Sequence, residues 1–179
     1  MSMFDEYTKI ALAVDACKRG IDGRKKLQKM IYIAKVLEYP LREDFTLYLY
    51  GPYSEELAGE LQRMKELDLL DERSLDSSYI IKLTENGKEF LDYFQTDIEG
   101  DIGTEKLNKM KILFKELSRY DPWELEIIAT LFYFYQTGYN DFDELQDAVR
   151  KAKPKFSSKQ ISTMMEKVRE FIDKFSVQK

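Results

Sequence analysis

The sequence predicts a mainly α-helical protein of the α+β class, with a small β-hairpin or sheet confined to its first half. Apolar residues recur with helical spacing along most of the 179 residues. Two short stretches in the first half instead show strand patterns, and a polar, glycine-containing segment separates them from the helices that follow. We therefore predict an N-terminal domain over residues 1–97 and a helical domain over residues 104–179.

The N-terminal domain is predicted to begin with two helices. The first runs from Phe4 to Arg19 and stops at Gly20. The second follows the Asp22-Gly23 turn with the sequence "RKKLQKMIYIAKVLEYP", and Pro40 ends it because the residue before a proline avoids helical backbone angles. The side chains of this second helix that we expect to face outward are all basic: Arg24, Lys25, Lys26, Lys29 and Lys35.

A strand and a third helix are predicted next. The segment "FTLYLY", from Phe45 to Tyr50, alternates with the period of a strand, and Gly51-Pro52 breaks it. Ser54 stands at an N-cap position, and two glutamates follow it in the first helical turn, where they interact favourably with the helix dipole. The motif therefore predicts a corner between a strand and a helix that extends to Leu67.

The rest of the N-terminal domain is predicted to be a hairpin and a fourth helix. "LLDERSLDSSYIIKLT" has the pattern of two strands joined by a polar turn, with its tip near Asp76 to Ser78. Thr84 can cap the helix "ENGKEFLDYF". The following "QTDIEGDIGT" has the composition of a linker and is predicted to separate the two domains.

The C-terminal domain is predicted to be entirely helical. One helix spans Lys106 to Ser118, and three more have the sequences "DPWELEIIATLFYFYQTG", "DFDELQDAVRKAKP" and "SSKQISTMMEKVREFIDKF". Asp121, Pro122 and Glu124 form a capping-box-like start for the first of these three. That helix is apolar on most sides, which predicts that it forms the buried centre of this half.

The composition argues against most enzymatic mechanisms. The chain has no histidine, which removes the commonest general base, and a single cysteine, Cys17, which cannot form an internal disulfide or a multi-cysteine zinc site. Acidic residues at 68–72 and 141–144 offer oxygen ligands, but helix starts and turns account for them more simply. We expect a non-enzymatic protein with no cofactor and no metal, located in the cytosol and outside the membrane.

The charge distribution limits any nucleic-acid contact to local patches. The net charge is −5, and residues 54–103 carry 14 acidic against 5 basic residues. Two basic clusters flank this acidic segment. The residues predicted to contact nucleic acid are Arg24, Lys25, Lys26, Lys29, Arg63, Lys65 and Arg73. The residues predicted to contact phosphate or a partner are Arg150, Lys151, Lys153, Lys155 and Lys159.

Two resemblances give these patterns a context. The order "ELQRMKELDLL", polar turn, "YIIKLTENGKEFL" resembles winged-helix regulators of the MarR and PadR kind. Over more of the chain, "GRKKLQKMIYIAKVL", "YLYGPYSEEL", "LEIIATLFYF" and "KAKPKFSSKQI" resemble the YwgA family and, more distantly, the Panacea domain of SocA-like antitoxins. The most specific part of this resemblance is the motif Gly51, Pro52, Tyr53 and Ser54. It implies a winged-helix-like N-terminal domain and no catalytic residues.

The functional expectation is a DNA-binding regulator that uses the basic residues and the hairpin. The alternative is an antitoxin-like module that binds a partner protein through its acidic helix, and the sequence also leaves open a homo-oligomer. Two features argue against ordinary major-groove recognition by the third helix. A strand precedes this helix where a winged helix has a continuous helix-turn-helix, and four glutamates on the helix would repel phosphates.

Overall fold

The computed structural model describes residues 3–75, 78–139 and 141–176, which form eight helices and five strands. The helices are α1 Met3–Asp15, α2 Gly23–Val36, α3 Glu55–Glu66, α4 Glu85–Ile102, α5 Thr104–Leu117, α6 Pro122–Gln136, α7 Phe142–Ala152 and α8 Ser158–Phe175. The strands are β1 Ile21–Asp22, β2 Thr46–Tyr48, β3 Gly51–Tyr53, β4 Leu70–Leu75 and β5 Ser78–Leu83. This confirms the predicted mainly α-helical α+β class. No helix in the described ranges is both long and apolar enough to cross a membrane.

The first half has the element order of a winged helix, with one addition. Strands β1, β5 and β4 form an antiparallel sheet in that order, and β1 lies between α1 and α2 as the winged-helix arrangement requires. The sequence-based prediction missed β1 because two residues are too few to show a strand pattern. The tip of the predicted hairpin falls partly outside the described residues.

The addition is a second hairpin between α2 and α3. Residues Gly51–Tyr53 were predicted only to break a strand, but they form β3 and pair antiparallel with β2. Gln28 fixes this hairpin to α2: its Nε2 donates to the Ser54 carbonyl oxygen at 2.8 Å, and its Oε1 accepts from the Ser54 amide at 2.9 Å. Ser54 also caps α3 as predicted, because its Oγ accepts from the Leu57 amide. The Gly-Pro-Tyr-Ser motif therefore contains the second strand of a hairpin. The two hydrogen bonds between Gln28 and Ser54 fix this hairpin to α2.

The predicted linker is helical, which corrects that part of the sequence interpretation. Helix α4 begins at the predicted Thr84 cap and continues through residues 95–102, where Ile98 is buried and Ile102 packs against the core. Gly103, at φ +85°, separates α4 from α5. These two apolar residues sustain the helix despite its polar composition. The domain boundaries at residues 97 and 104 stay a prediction.

Helices α2 and α6 form the centre of the core. In α6 every residue from Leu125 to Phe132 is buried, which confirms the prediction that this helix is the centre of the C-terminal half. Its predicted start is confirmed as well, since Glu124 accepts a hydrogen bond from the Asp121 amide at 2.7 Å. In α2 every residue from Lys26 to Ala34 is buried, and α2 packs directly on α6. This contact brings residues of the two sequence halves together.

Candidate functional site

The basic residues predicted to contact nucleic acid are largely neutralised by neighbours. The Arg24 guanidinium donates to both oxygens of Glu72, at 2.5 and 3.1 Å, and Lys65 donates to the same carboxylate at 3.0 Å. The Arg24 and Lys65 hydrogen bonds lower the pKa of Glu72 and keep it ionised. Arg63 donates to the Tyr7 hydroxyl at 3.1 Å. These three cations are therefore engaged with groups of the protein itself.

Two further predicted contact residues are buried, which corrects the expectation that they face outward. Lys26 and Lys29 are each only 5% exposed. The Lys26 ammonium donates to the Ser118 carbonyl oxygen at 2.7 Å and lies 3.6 Å from the Asp22 carboxylate. Only Lys25 of this cluster remains exposed, with its Nζ 4.2 Å from the centre of the Tyr50 ring. Helix α2 is surrounded by other elements, so its lysine stems run between them.

Helix α3 presents an acidic surface. Glu55, Glu56 and Glu66 are exposed, whereas Glu60 is buried. Glu60 belongs to a buried group of three carboxylates with Glu6 and Glu43, and the Arg42 guanidinium lies 3.9 Å from Glu6 and from Glu60. Burial raises the pKa of Glu60 to about 7 and also raises the pKa of Glu43. The three exposed glutamates of α3 would repel the phosphate backbone of a nucleic acid.

A second surface, which we call the basic cleft, carries basic side chains that are available to contact other molecules. It is a cleft of about 920 Å³ between the end of α1, the outer face of the β1-β5-β4 sheet and the end of α5. Six basic residues line it: Lys18, Arg19, Arg73, Lys82, Lys115 and Arg119. Of these, only Arg73 was among the residues predicted from the sequence.

Strand alternation explains why the cleft is basic while the other face of the sheet is not. Arg73 pairs across the strands with Ile80, and both side chains line the cleft. Glu72 pairs with the buried Ile81 and lies on the opposite face, because successive strand residues alternate. The pairing that directs Glu72 inward toward Arg24 therefore directs Arg73 into the cleft.

The cleft retains most of its charge. Among the described residues, only Arg73 of the six has an ion pair, with the Asp71 carboxylate at 2.5 Å, and its side chain is 82% exposed. Exposed pairs of this kind contribute little stability. Among the described residues that line the cleft, Asp22 is the one carboxylate, and it lies next to the buried Lys26 ammonium; Asp71 is on the same face of the sheet and pairs with Arg73. The cleft is therefore a concave surface with a strong local excess of positive charge.

A third group, which we call the lysine cluster, consists of Lys25, Lys29, Lys153 and Lys155 around Glu126. Lys153 and Lys155 lie at the end of α7 and in the connector to α8, and their Nζ atoms are 3.0 and 2.9 Å from the two Glu126 oxygens. Lys153 is 4% exposed and Glu126 is 5% exposed. The fold thus joins members of both predicted basic clusters, although more than a hundred residues separate them in the sequence.

The β2–β3 hairpin covers the lysine cluster. Lys153 donates to the Leu49 carbonyl oxygen in the hairpin turn. Gly51 has φ +99°, and a Cβ added to it would lie 3.6 Å from Lys29 Cε and 3.8 Å from Glu126 Cγ. Tyr50 lies at the rim, where Lys25 and Lys155 both contact its ring. The motif that was most specific in the sequence resemblance therefore forms one wall of the cluster.

The remaining residues of the second predicted cluster lie outside this group. Lys151 and Lys159 are exposed, and Arg150 donates to the Ser158 hydroxyl at 3.4 Å on the surface. The single cysteine belongs to neither basic surface. Cys17 is buried, its Sγ lies 3.2 Å from the Ala13 carbonyl oxygen, and burial raises the pKa of its thiol to about 11. It is an interior thiol rather than a nucleophile at neutral pH.

Comparison with known proteins supports the family suggested by the sequence motifs. The chain is 34% identical over 155 residues to the uncharacterized protein YwgA of Bacillus subtilis (strain 168), and the match covers 84% of this chain and 82% of that protein. The chain belongs to the YwgA family. No family model matches it. The more distant likeness to the Panacea domain stays a prediction.

For this member of the YwgA family, the family motif has a clear structural role. Gln28 of "KLQK" and Ser54 of "GPYS" form the two hydrogen bonds that hold the hairpin on α2, and Lys29 packs beneath Gly51. Other functional candidates were missed because they are isolated in the sequence. The cleft cations other than Arg73 come from three separate segments of the chain. Glu126 is the one charged residue in the apolar stretch Leu125–Phe132, and this isolated charge was visible in the sequence.

Proposed function

We propose that this YwgA-family protein is a non-enzymatic, cytosolic DNA-binding regulator that contacts the phosphate backbone of double-stranded DNA through the basic cleft. The observation that carries this proposal is the convergence of six cations on one concave surface, five of them without an ion pair in the described part of the chain. Side chains that already neutralise one another gain little from phosphate, whereas these gain the full interaction.

The proposed contact surface therefore differs from the basic start of α2 that the sequence favoured, and lies on the outer face of the sheet. Arg73 keeps its predicted role because it lines the cleft, while Arg24 and Lys65 are paired with Glu72. Phosphate contacts position a protein on DNA but carry no sequence information. We expect binding that depends strongly on salt, with a slope of log K against log[salt] near −3.6 if about four phosphates are contacted.

Fluorescence anisotropy with a labelled duplex of about 20 base pairs at several salt concentrations tests this proposal. The double variant Lys82→Glu/Lys115→Glu reverses two cleft charges on different elements. We expect it to weaken binding at low salt by about 100-fold or more and to reduce the magnitude of the salt slope by about 2. Lys106→Glu, near the start of α5 and outside the cleft, is a control with half the charge change and should bind nearly as the unmodified protein does.

Two results would overturn the proposal. One is the absence of binding to mixed-sequence duplex at low salt. The other is equal weakening by the cleft variant and by Lys106→Glu, which would indicate a diffuse charge effect rather than a defined surface. Circular dichroism melting of each variant ensures that lost binding reflects lost charge and not lost folding.

The second candidate function is binding of a partner protein, favoured by the acidic exterior of α3. Glu55, Glu56 and Glu66 are exposed on one helix, and among the described residues none of these three has an ion pair closer than 4.0 Å. A basic partner surface would complement this face. Co-purification of the tagged protein with a stoichiometric partner, which is lost in Glu55→Lys/Glu66→Lys and kept in Lys82→Glu/Lys115→Glu, would support this candidate. Equal recovery with all three proteins would contradict it.

A further inference from the structure

The lysine cluster contains a buried cation that the protein does not satisfy. Lys29 is 5% exposed, and its ammonium group has three donor hydrogens. In the described part of the chain its one hydrogen-bond acceptor is the Lys25 carbonyl oxygen at 3.1 Å. A buried ammonium group with so few acceptors is costly unless an anion neutralises it. In the described part of the chain, Lys29 forms no ion pair with a carboxylate.

Glu126 does not supply that anion alone. Its Oε2 accepts a hydrogen bond from the Lys155 ammonium group at 2.9 Å and its Oε1 lies 3.0 Å from the Lys153 ammonium group, so one carboxylate is shared among several cations. Four lysines around one carboxylate leave a local excess of positive charge even with Lys29 partly deprotonated. Burial and the other three lysines lower the pKa of Lys29 to about 8, while Glu126 acts in the opposite direction.

The rim of the cluster gives an anion a route of access. Lys155 has a side chain that is 50% exposed, and Lys25 is exposed and also contacts the Tyr50 ring. Their Nζ atoms lie 5.3 and 4.2 Å from the centre of that ring, which is itself about half exposed. An anion that enters here meets cations from α2 and from the α7–α8 connector, next to an aromatic face.

We propose that the lysine cluster binds the phosphate group of a small ligand, with Lys25, Lys29 and Lys155 as donors. Lys153 and Glu126 form the frame, because their ion pair and the bond from Lys153 to the Leu49 carbonyl fix the connector against the hairpin. Lysine ammonium groups bind phosphate as point charges, and a dianion matches the excess charge. The half-exposed Tyr50 ring lies at the rim, where a ring carried by the phosphate would contact it. This site is separate from the basic cleft.

Isothermal titration calorimetry with inorganic phosphate and with adenosine monophosphate as probes tests this proposal. We expect binding of at least one probe with a Kd in the micromolar to low millimolar range, about 1 mM or tighter. Lys29→Met and Lys155→Gln should each weaken binding by about 10-fold or more, since each removes a charged hydrogen bond. Lys106→Met, on α5 and outside both the basic cleft and the lysine cluster, is the control and should leave the affinity unchanged.

The two probes distinguish the source of the phosphate. Equal affinities, insensitive to Tyr50→Leu, indicate free phosphate, whereas tighter binding of the nucleotide that Tyr50→Leu weakens indicates a ring-bearing ligand. Lys155→Gln removes a half-exposed side chain, so its effect does not depend on a disrupted core. The proposal is overturned if neither probe binds at about 10 mM, or if both cluster variants bind as tightly as the Lys106→Met control. Neither outcome bears on DNA binding by the cleft.

Discussion

The basic cleft and the lysine cluster are both rich in cations, but they hold them in opposite ways. The six cleft cations come from the segment after α1, from the sheet and from the end of α5 with the residues after it, and five of them have no ion pair among the described residues. In the lysine cluster, two of the four lysines are nearly inaccessible, and a buried carboxylate pairs with Lys153 and Lys155. Exposed cations remain hydrated and attract an approaching polyanion. Buried cations have lost their hydration and must be neutralised by neighbouring groups.

This difference predicts different responses to salt and to mutation. Ions screen the cleft, because its charges are in contact with solvent. Dissolved ions screen the lysine cluster much less, because most of it is buried. Removing one member of an ion pair there leaves the other member buried without a counter-charge. The predictions that follow change one charge at a time in the two regions and begin with the largest expected effect.

The variant Glu126→Gln should be strongly destabilising. It removes the carboxylate between Lys153 and Lys155 and leaves the buried Lys153 ammonium without a counter-charge. We expect the free energy of unfolding to fall by about 3–5 kcal/mol, measured by urea denaturation. Glu116→Gln, which breaks the partly exposed pair with Lys174, is the control and should cost less than about 1 kcal/mol. Equal effects of the two variants would contradict the claim that burial separates the regions.

The variant Lys29→Met should stabilise the protein at neutral pH. The pKa of Lys29 is lowered from 10.5 to about 8, so the unfolded chain binds more protons between these pH values and stability rises with pH across this window. Below pH 8 the folded protein carries the full cost of the buried charge. We expect Lys29→Met to be more stable by about 2–3 kcal/mol at pH 7, with the difference disappearing near pH 10.5.

Denaturation curves at several pH values check this prediction. Lys82→Met removes an exposed cation from the cleft and serves as the control, because its effect on stability should stay within about 0.5 kcal/mol. A difference between Lys29→Met and the unmodified protein that does not change between pH 7 and pH 10.5 would show that the methionine acts through packing rather than through the lost charge.

The smallest effect is expected from Asp22→Asn in the cleft. Asp22 is the one carboxylate among the lining residues, and its side chain is 52% exposed and 3.6 Å from Lys26. Its loss should strengthen DNA binding at low salt by a factor of about 2–5 and leave stability within about 0.5 kcal/mol. Anisotropy titrations measure this change against Glu105→Gln at the start of α5. Weaker binding by Asp22→Asn would count against the cleft as the DNA surface.

Local chemistry made much of the fold predictable from the sequence. The helices of the C-terminal half follow apolar spacing, and the predicted caps at Ser54 and Thr84 are confirmed by hydrogen bonds to amides three residues further on. The predictions failed where tertiary contacts override composition. Residues 95–102 look like a linker, but burial of Ile98 keeps them helical. Lys29 was expected to face solvent, but it is buried. The spacing of apolar residues along a helix does not show how many other elements surround that helix.

The sites were only partly predictable, for a different reason. The basic runs near Arg24 and Lys153 were visible in the sequence, but their convergence depends on the packing of α2 against α6 and on the course of the α7–α8 connector. The basic cleft is assembled from residues that are scattered along the chain. Such a surface gives no local signal, and only the register of β4 with β5 shows that Arg73 and Lys82 share a face.

Strand β1 also has a consequence for the order in which the protein folds. It has two residues, and Ile21 pairs with Ile81, so this pairing closes a loop of about 60 residues. The cost of closure is offset only when α2, α3 and the β4–β5 hairpin are already in place, and we expect late protection of the Ile21 amide in pulsed hydrogen exchange. Gly20 and Asp22, on either side of Ile21, line the basic cleft. We therefore expect the basic cleft to form only after most of the first half of the chain has been synthesised and folded.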